Sequence, residues 1–257
     1  LTGGDTTVTA GSQASTTVKA EPTPGGVTAT SVGVGASVAI ALIEDDTTAV
    51  LDNGITITGA RNVSLTATAG DAAVVEAKMG AAGGKVDVAP AVAIALSNVT
   101  TTATLGTFGG PLQLTGSLTL GATQKASAST NAGAVVSGAS SAAIGVGLGL
   151  TIANHTVTAT TARSVNAGGD IMLNASSVSA SAAGAQASAS GAPENSADGS
   201  GGAGSGGGAG NGVDSQVKGQ RDFADQSAAN NGVQGSGSAS TPKATTSDGG
   251  VNVAAAI

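Results

Sequence analysis

Alternating apolar runs return at a nearly fixed interval, and that recurrence limits the possible folds more than any other feature. Val34, Ala36, Val38, Ile40 and Leu42 share one parity. Val88, Pro90, Val92, Ile94 and Leu96 repeat them 54 positions on, and Ile144, Val146, Leu148, Leu150 and Ile152 follow after 56 more. Val251, Val253, Ala255 and Ile257 fit a further 105 on. A second set of anchors, Val8, Leu65, Leu120 and Leu173, keeps intervals of 57, 55 and 53. Two independent anchors with one interval mark an internal repeat of about 55 residues. Strict alternation over nine or more residues has a period of two and predicts β-strands, as does the enrichment in Thr and Val. Turn chemistry separates the runs at Asp52-Asn53-Gly54, Gly109-Gly110-Pro111 and Ala167-Gly168-Gly169.

What fills the interior is set by composition. Phe108 and Phe223 are the only aromatics in 257 residues, and 10% of residues are charged. A broad core at native density needs large side chains; here a thin core of Val, Ile, Leu and Ala is expected, with backbones close together. These features predict an all-β chain, a parallel β-solenoid of ~55-residue repeats. Residues 1–190 form the repeats, 191–248 a long Gly/Ser-rich insertion, and 249–257 the start of the next repeat. A unit is either one wide coil or two narrower ones. The Val, Ile and Leu parity of each run is expected inside. The other parity, with Ala39, Ala41, Ala93, Ala95, Gly147 and Gly149, leaves a nearly bare packing face. That face is read as covered within the fold or as packed between copies of the chain or neighbouring repeats.

The chemistry of sites is sparse. Cysteine is absent, which excludes a disulfide framework. A net charge of -7 without a basic patch argues against nucleic acid, and no long apolar span predicts membrane insertion. Glu44, Asp45 and Asp46, with Asp52, are the one candidate for a metal, namely calcium. The single histidine, His155, aligns with Val99 and Asp45 of the other units and reads as a surface residue. Glycoside chemistry needs a cleft between paired carboxylates, and a lone histidine cannot build a hydrolytic triad, so no enzyme, catalytic residue or cofactor is predicted. Threonine pairs such as Thr102-x-Thr104 and Thr158-x-Thr160 raise ice binding as a distant alternative. The 191–248 insertion raises a ligand-binding loop as a nearer one.

NVSLTATAG at Asn62, GDIMLNASS at Gly169 and GGVNVAAAI at Gly249 resemble the repeats of filamentous-haemagglutinin-like giant adhesins of Gram-negative bacteria. The resemblance covers about residues 5–190 and the last nine. It implies a right-handed parallel β-solenoid exported to the bacterial cell surface. The implied role is structural: a rod or fibre for adhesion, aggregation or biofilm matrix, in contact with cell surfaces. The start at Leu1 and the strand pattern at Ile257 are those expected of a length cut from a longer chain.

Overall fold

The structure is a computed structural model that describes residues 2–22, 26–107, 110–191, 243–247 and 251–257. It is all-β, with no helix among those residues. One sheet runs β1 (Thr2–Ala20), β5 (Thr58–Ala82), β8 (Leu118–Ala139), β11 (Ile171–Gly191), with β2 (Val27–Thr28) also on β5 and β12 (Lys243–Ser247) on β11. The second joins β3 (Val32–Val34) and β4 (Ser37–Leu51) to β6 (Val86–Leu105), then β9 (Ala142–Thr161) and β13 (Val251–Ala256). A two-stranded third sheet pairs β7 (Leu112–Leu114) with β10 (Val165–Ala167). Every pairing is parallel. The chain reaches each next strand of one sheet by crossing the other, as parallel neighbours require.

Hydrogen-bond register follows the sequence intervals. Val8 lies opposite Leu65, Leu65 opposite Leu120, and Leu120 opposite Leu173. In the second sheet Val38 meets Val92 and Ile94 meets Leu150. Adjacent strands of each sheet are therefore one full sequence unit apart. The last interval differs from expectation. Val251 pairs with Ala142 and Val253 with Ile144, a spacing of 109 and not 105. A four-residue slide preserves parity, so alternation alone does not distinguish the two registers.

The larger correction concerns which parity is inside. Val38, Ile40 and Leu42 are 58%, 59% and 61% exposed, whereas Ala39 and Ala41 are 1% and 3% exposed. Ala93 and Ala95 are fully buried in β6. The alanines and glycines of the second sheet face the first sheet, and the aliphatic parity faces outward. The reason is the separation of the two backbones. A Cβ added at Gly145, Gly147 or Gly149 falls 2.6, 2.5 or 2.3 Å from the carbonyl oxygens of Ser188, Gln186 and Gly184. At these three positions of β9 only hydrogen fits, and the opposing inward row on β8 is mostly small, with Ala126, Ala128, Thr130, Ala132 and Ala134.

The gap widens toward the other end of the strands. There Leu51, Val63, Leu65, Leu105, Leu118 and Leu120 are buried, and Leu112 and Leu114 of β7 close the corner. The cross-section is thus a wedge, tight at the alanine end and leucine-filled at the other. Asn53 stitches the corner turns. Its Oδ1 accepts hydrogen bonds from the Thr107 backbone N–H at 2.6 Å and hydroxyl at 2.8 Å. Asn62 Oδ1 accepts the Ser117 N–H at 2.8 Å, and Ser117 Oγ accepts the Asp170 N–H at 3.0 Å. Arg163 is buried in the same corner and donates to the carbonyls of Gly106, Ile55 and Asp52 at 2.5, 3.1 and 3.4 Å. Burial lowers its pKa from the ordinary value.

Candidate functional site

A polar seam crosses the interior where the alanine and leucine halves meet. Inward parity puts Asp45 and Thr47 of β4, Ser97 and Thr101 of β6 and His155 of β9 in one band, opposite Asp71 of β5 and Gln124 of β8. Buried polar groups at such a place must be hydrogen-bonded among themselves. Gln124 Nε2 donates to the Val99 carbonyl at 3.0 Å, to Thr101 Oγ1 at 3.2 Å and to the Thr156 carbonyl at 3.3 Å, while its Oε1 accepts from Ser177 Oγ at 3.3 Å. His155 contacts Ser97 Oγ through Nε2 at 3.1 Å and Ser179 Oγ through Nδ1 at 2.5 Å. It is therefore a half-buried seam residue and not the surface residue expected, and burial lowers its pKa.

Asp45 accepts hydrogen bonds from Ser12 Oγ and, at 2.7 Å, from Thr47 Oγ1. Asp71 faces it, 4% exposed, with neither carboxylate oxygen hydrogen-bonded to a donor. Burial, then the neighbouring Asp45 carboxylate, pushes the Asp71 pKa up from 3.8 to about 6. A carboxyl whose folded pKa is raised binds a proton in the folded state that the unfolded chain releases. Its stabilising neutral form is fully present below pH ~4 and lost as pH climbs through ~6. The shift of roughly two units corresponds to about 3 kcal/mol. Asp71→Asn is accordingly expected to stabilise the protein at pH 7.5 by up to that amount and to leave it unchanged at pH 4. Denaturant melts of both proteins at the two pH values check this; a variant no more stable at pH 7.5 contradicts it.

The proposed calcium set does not converge. Glu44 and Asp46 point outward from β4, Asp45 points inward, and Asp52 lies in the turn beyond the strand. Asp46 accepts the Thr48 hydroxyl at 2.8 Å. Among the described residues no three His, Asp or Glu side chains gather as metal ligands. Alternation along a strand separates consecutive carboxylates onto opposite faces, so a run of acids in sequence is not a cluster in space. Ala39, Ala41, Ala93, Ala95, Gly147 and Gly149 pack, but between the two sheets of this chain, where no second copy reaches them. Most of the 191–248 insertion lies outside the described residues.

The two outer surfaces differ sharply. The first sheet presents Thr, Ser, Asn, Lys and Glu outward, with ion pairs between adjacent strands. Lys19 meets Glu76 at 3.1 Å, and Lys78 bridges Glu21 at 3.0 Å and Glu76. Arg61 holds Asp5 by two hydrogen bonds at 2.9 and 2.7 Å, which lowers the Asp5 carboxyl to about 2. The second sheet presents rows of aliphatic side chains, Val38–Val92–Leu148, Ile40–Ile94–Leu150 and Leu42–Leu96–Ile152. Beyond them on the same face stand Thr102 and Thr104 beside Thr158 and Thr160. The seam residues Asp71 and Gln124, the corner Arg163 and this outward aliphatic face are what reading the sequence missed. The signal for the first two was a polar residue on the inward parity of an otherwise apolar row. No known family model, curated protein or solved structure matches the chain.

Proposed function

We propose that the chain is a structural segment of a large secreted surface protein of the filamentous-haemagglutinin-like kind. In this reading it is a parallel β-solenoid with one wide turn per unit, serving in a rod or fibre for adhesion, aggregation or biofilm matrix at the bacterial surface. The observation that carries the reading is the continuous parallel ladder through β1, β5, β8 and β11, and through β4, β6, β9 and β13. Along these backbone ladders each unit pairs with the units before and after it, the nearest-neighbour arrangement of repeat proteins, and Arg163 adds a tie across two units to Ile55 and Asp52.

The test is adhesion by the chain itself. Beads coated with the 257-residue chain are expected to clump or to bind cells. A chain lacking 191–248 is expected to behave alike. Its shortened link from β11 to β13 has the length of the link between β8 and β9, so it should fold. Adhesion lost on this deletion assigns the activity to the insertion as a ligand-binding loop; absence of adhesion in both proteins overturns the structural reading. A second reading, ice binding, is favoured by one observation. Thr102 and Thr104 stand beside Thr158 and Thr160 on directly adjacent strands, with the Thr104 and Thr160 hydroxyls 3.5 Å apart. Thermal hysteresis of the same protein decides it.

A further inference from the structure

We infer that the aliphatic outer face of the second sheet is an interface that docks against the same face of a second copy of this chain. This inference rests on the structural reading above and supplies the surface through which copies associate.

The first argument is the contrast within the molecule. A sheet face in water carries polar groups; on the first sheet threonines, serines and ion pairs predominate, and the exposed Val74, Met172 and Val178 stand singly beside Ser129, Thr119 and Lys125. The second sheet departs from this. From Val32 to Leu42 on the lowest strands every outward residue is aliphatic, and the parallel rows of β6 and β9 continue the pattern. Val253 and Ile257 extend it at 45% and 67% exposure. Among the described strands those packed on β4, β6 and β9 belong to the same sheet or to the inner side.

The second argument is area. Six outward positions on each of three strands span ~33 Å, the β13 row is shorter, and four strands span ~19 Å, so the patch covers roughly 550 Å². That is the upper end for the largest apolar patch of a soluble monomer. It approaches the ~800 Å² that each partner contributes to a stable dimer, and the outward carboxylates Glu44 and Asp46 bound it on the side toward the threonine rows. Two such flat surfaces of Val, Ile and Leu interdigitate as sheets do in a sandwich. The third argument is what the face lacks. No aromatic or basic residue lies within it, although interfacial lipid-binding surfaces are framed by both. The insertion is a poor cover, because Val213, Val217, Phe223 and Val233 are its only large apolar residues between 192 and 242.

Sedimentation of the full 257-residue chain tests the proposal. The chain is expected to form a discrete dimer at micromolar concentration. The Ile40→Lys/Ile94→Lys/Leu150→Lys variant changes one row across three strands; it is expected to weaken association by on the order of 100-fold or more. Its side chains point outward, so its far-ultraviolet spectrum is expected to match the parent, and its melting temperature to fall only by what association adds and to lose the parent's dependence on concentration. The single Ile94→Glu variant repeats the measurement if the triple variant fails to fold. Thr66→Lys/Thr123→Lys on the outer face of the first sheet is expected to leave the dimer intact. A wild-type monomer at 100 μM, about a hundredfold above micromolar, overturns the proposal, as does association that survives the row substitutions. So does flotation of monomer with phosphatidylcholine vesicles, which makes lipid the occupant. Pairing without bead adhesion leaves this interface standing and removes the adhesive reading; adhesion by a monomer does the reverse.

Discussion

Gly147→Val is expected to unfold the protein or to cost about 4 kcal/mol, above the usual 1–3 for overpacking. The added Cβ falls 2.5 Å from the Gln186 oxygen and 3.2 Å from its carbonyl carbon. Both are backbone atoms of β11 and have no rotamer by which to move aside. Gly145 and Gly149 press equally closely on Ser188 and Gly184, so relief at one position requires moving the whole strand. Gly121→Ala is the matched control. It stands on the outer side of β8 with no atom within 4 Å of the added Cβ, and a change within about 0.5 kcal/mol is expected. Denaturant unfolding of the three proteins measures the difference. A valine variant within 1 kcal/mol of the parent, well below the overpacking range, means that the narrow end is not closed as described.

Leu120→Ala is expected to cost about 3–4 kcal/mol, the loss of a fully buried leucine plus the cavity it leaves. Leu120 lies in register between Leu65 and Leu173, and two of the three are completely buried. Val38→Ala removes a residue of similar kind from a run of similar pattern. It is expected to cost less than about 1 kcal/mol, because Val38 faces outward and contributes mostly strand preference. The pair discriminates the two parities. If large aliphatic side chains of the runs filled the interior, Val38→Ala would also carry a buried-residue cost of about 2 kcal/mol or more.

That inversion shows how far the sequence can be read and where it stops. The strand period, the turns and the inter-strand register are local or repeated properties, and Val8, Leu65, Leu120 and Leu173 already stand in their hydrogen-bonded order in the sequence. Which side of a strand is inside depends on the distance to a second sheet, which no single strand encodes. The placing of large apolar residues inside fails on a strand whose backbone lies as close to the facing one as β9 does at Gly145, Gly147 and Gly149. Leu51 and Leu105 carried the correction. They occupy the same parity as Ala39 and Ala93, and a strand without a bulge cannot change faces along its length. Asp71 breaks an inward row that otherwise reads Leu65, Ala67, Ala69, Ala73, Val75. The calcium reading of Glu44, Asp45, Asp46 and Asp52 failed because proximity along the chain was taken for proximity in space.

Strands that lie across the direction of stacking make height and width unequal. Each unit of 53 to 57 residues advances the stack by one strand spacing, ~4.8 Å. A strand such as β6, with 20 residues, spreads ~65 Å sideways. A thousand residues built this way rise less than ~100 Å, so reaching a distant target is slow in amino acids. Coverage is fast, because every added unit lays down a strip ~65 Å long on each of two sides. Gain or loss of one repeat therefore trims such a molecule in steps finer than the diameter of two water molecules. In the reading proposed above, such a molecule grows in breadth faster than in height.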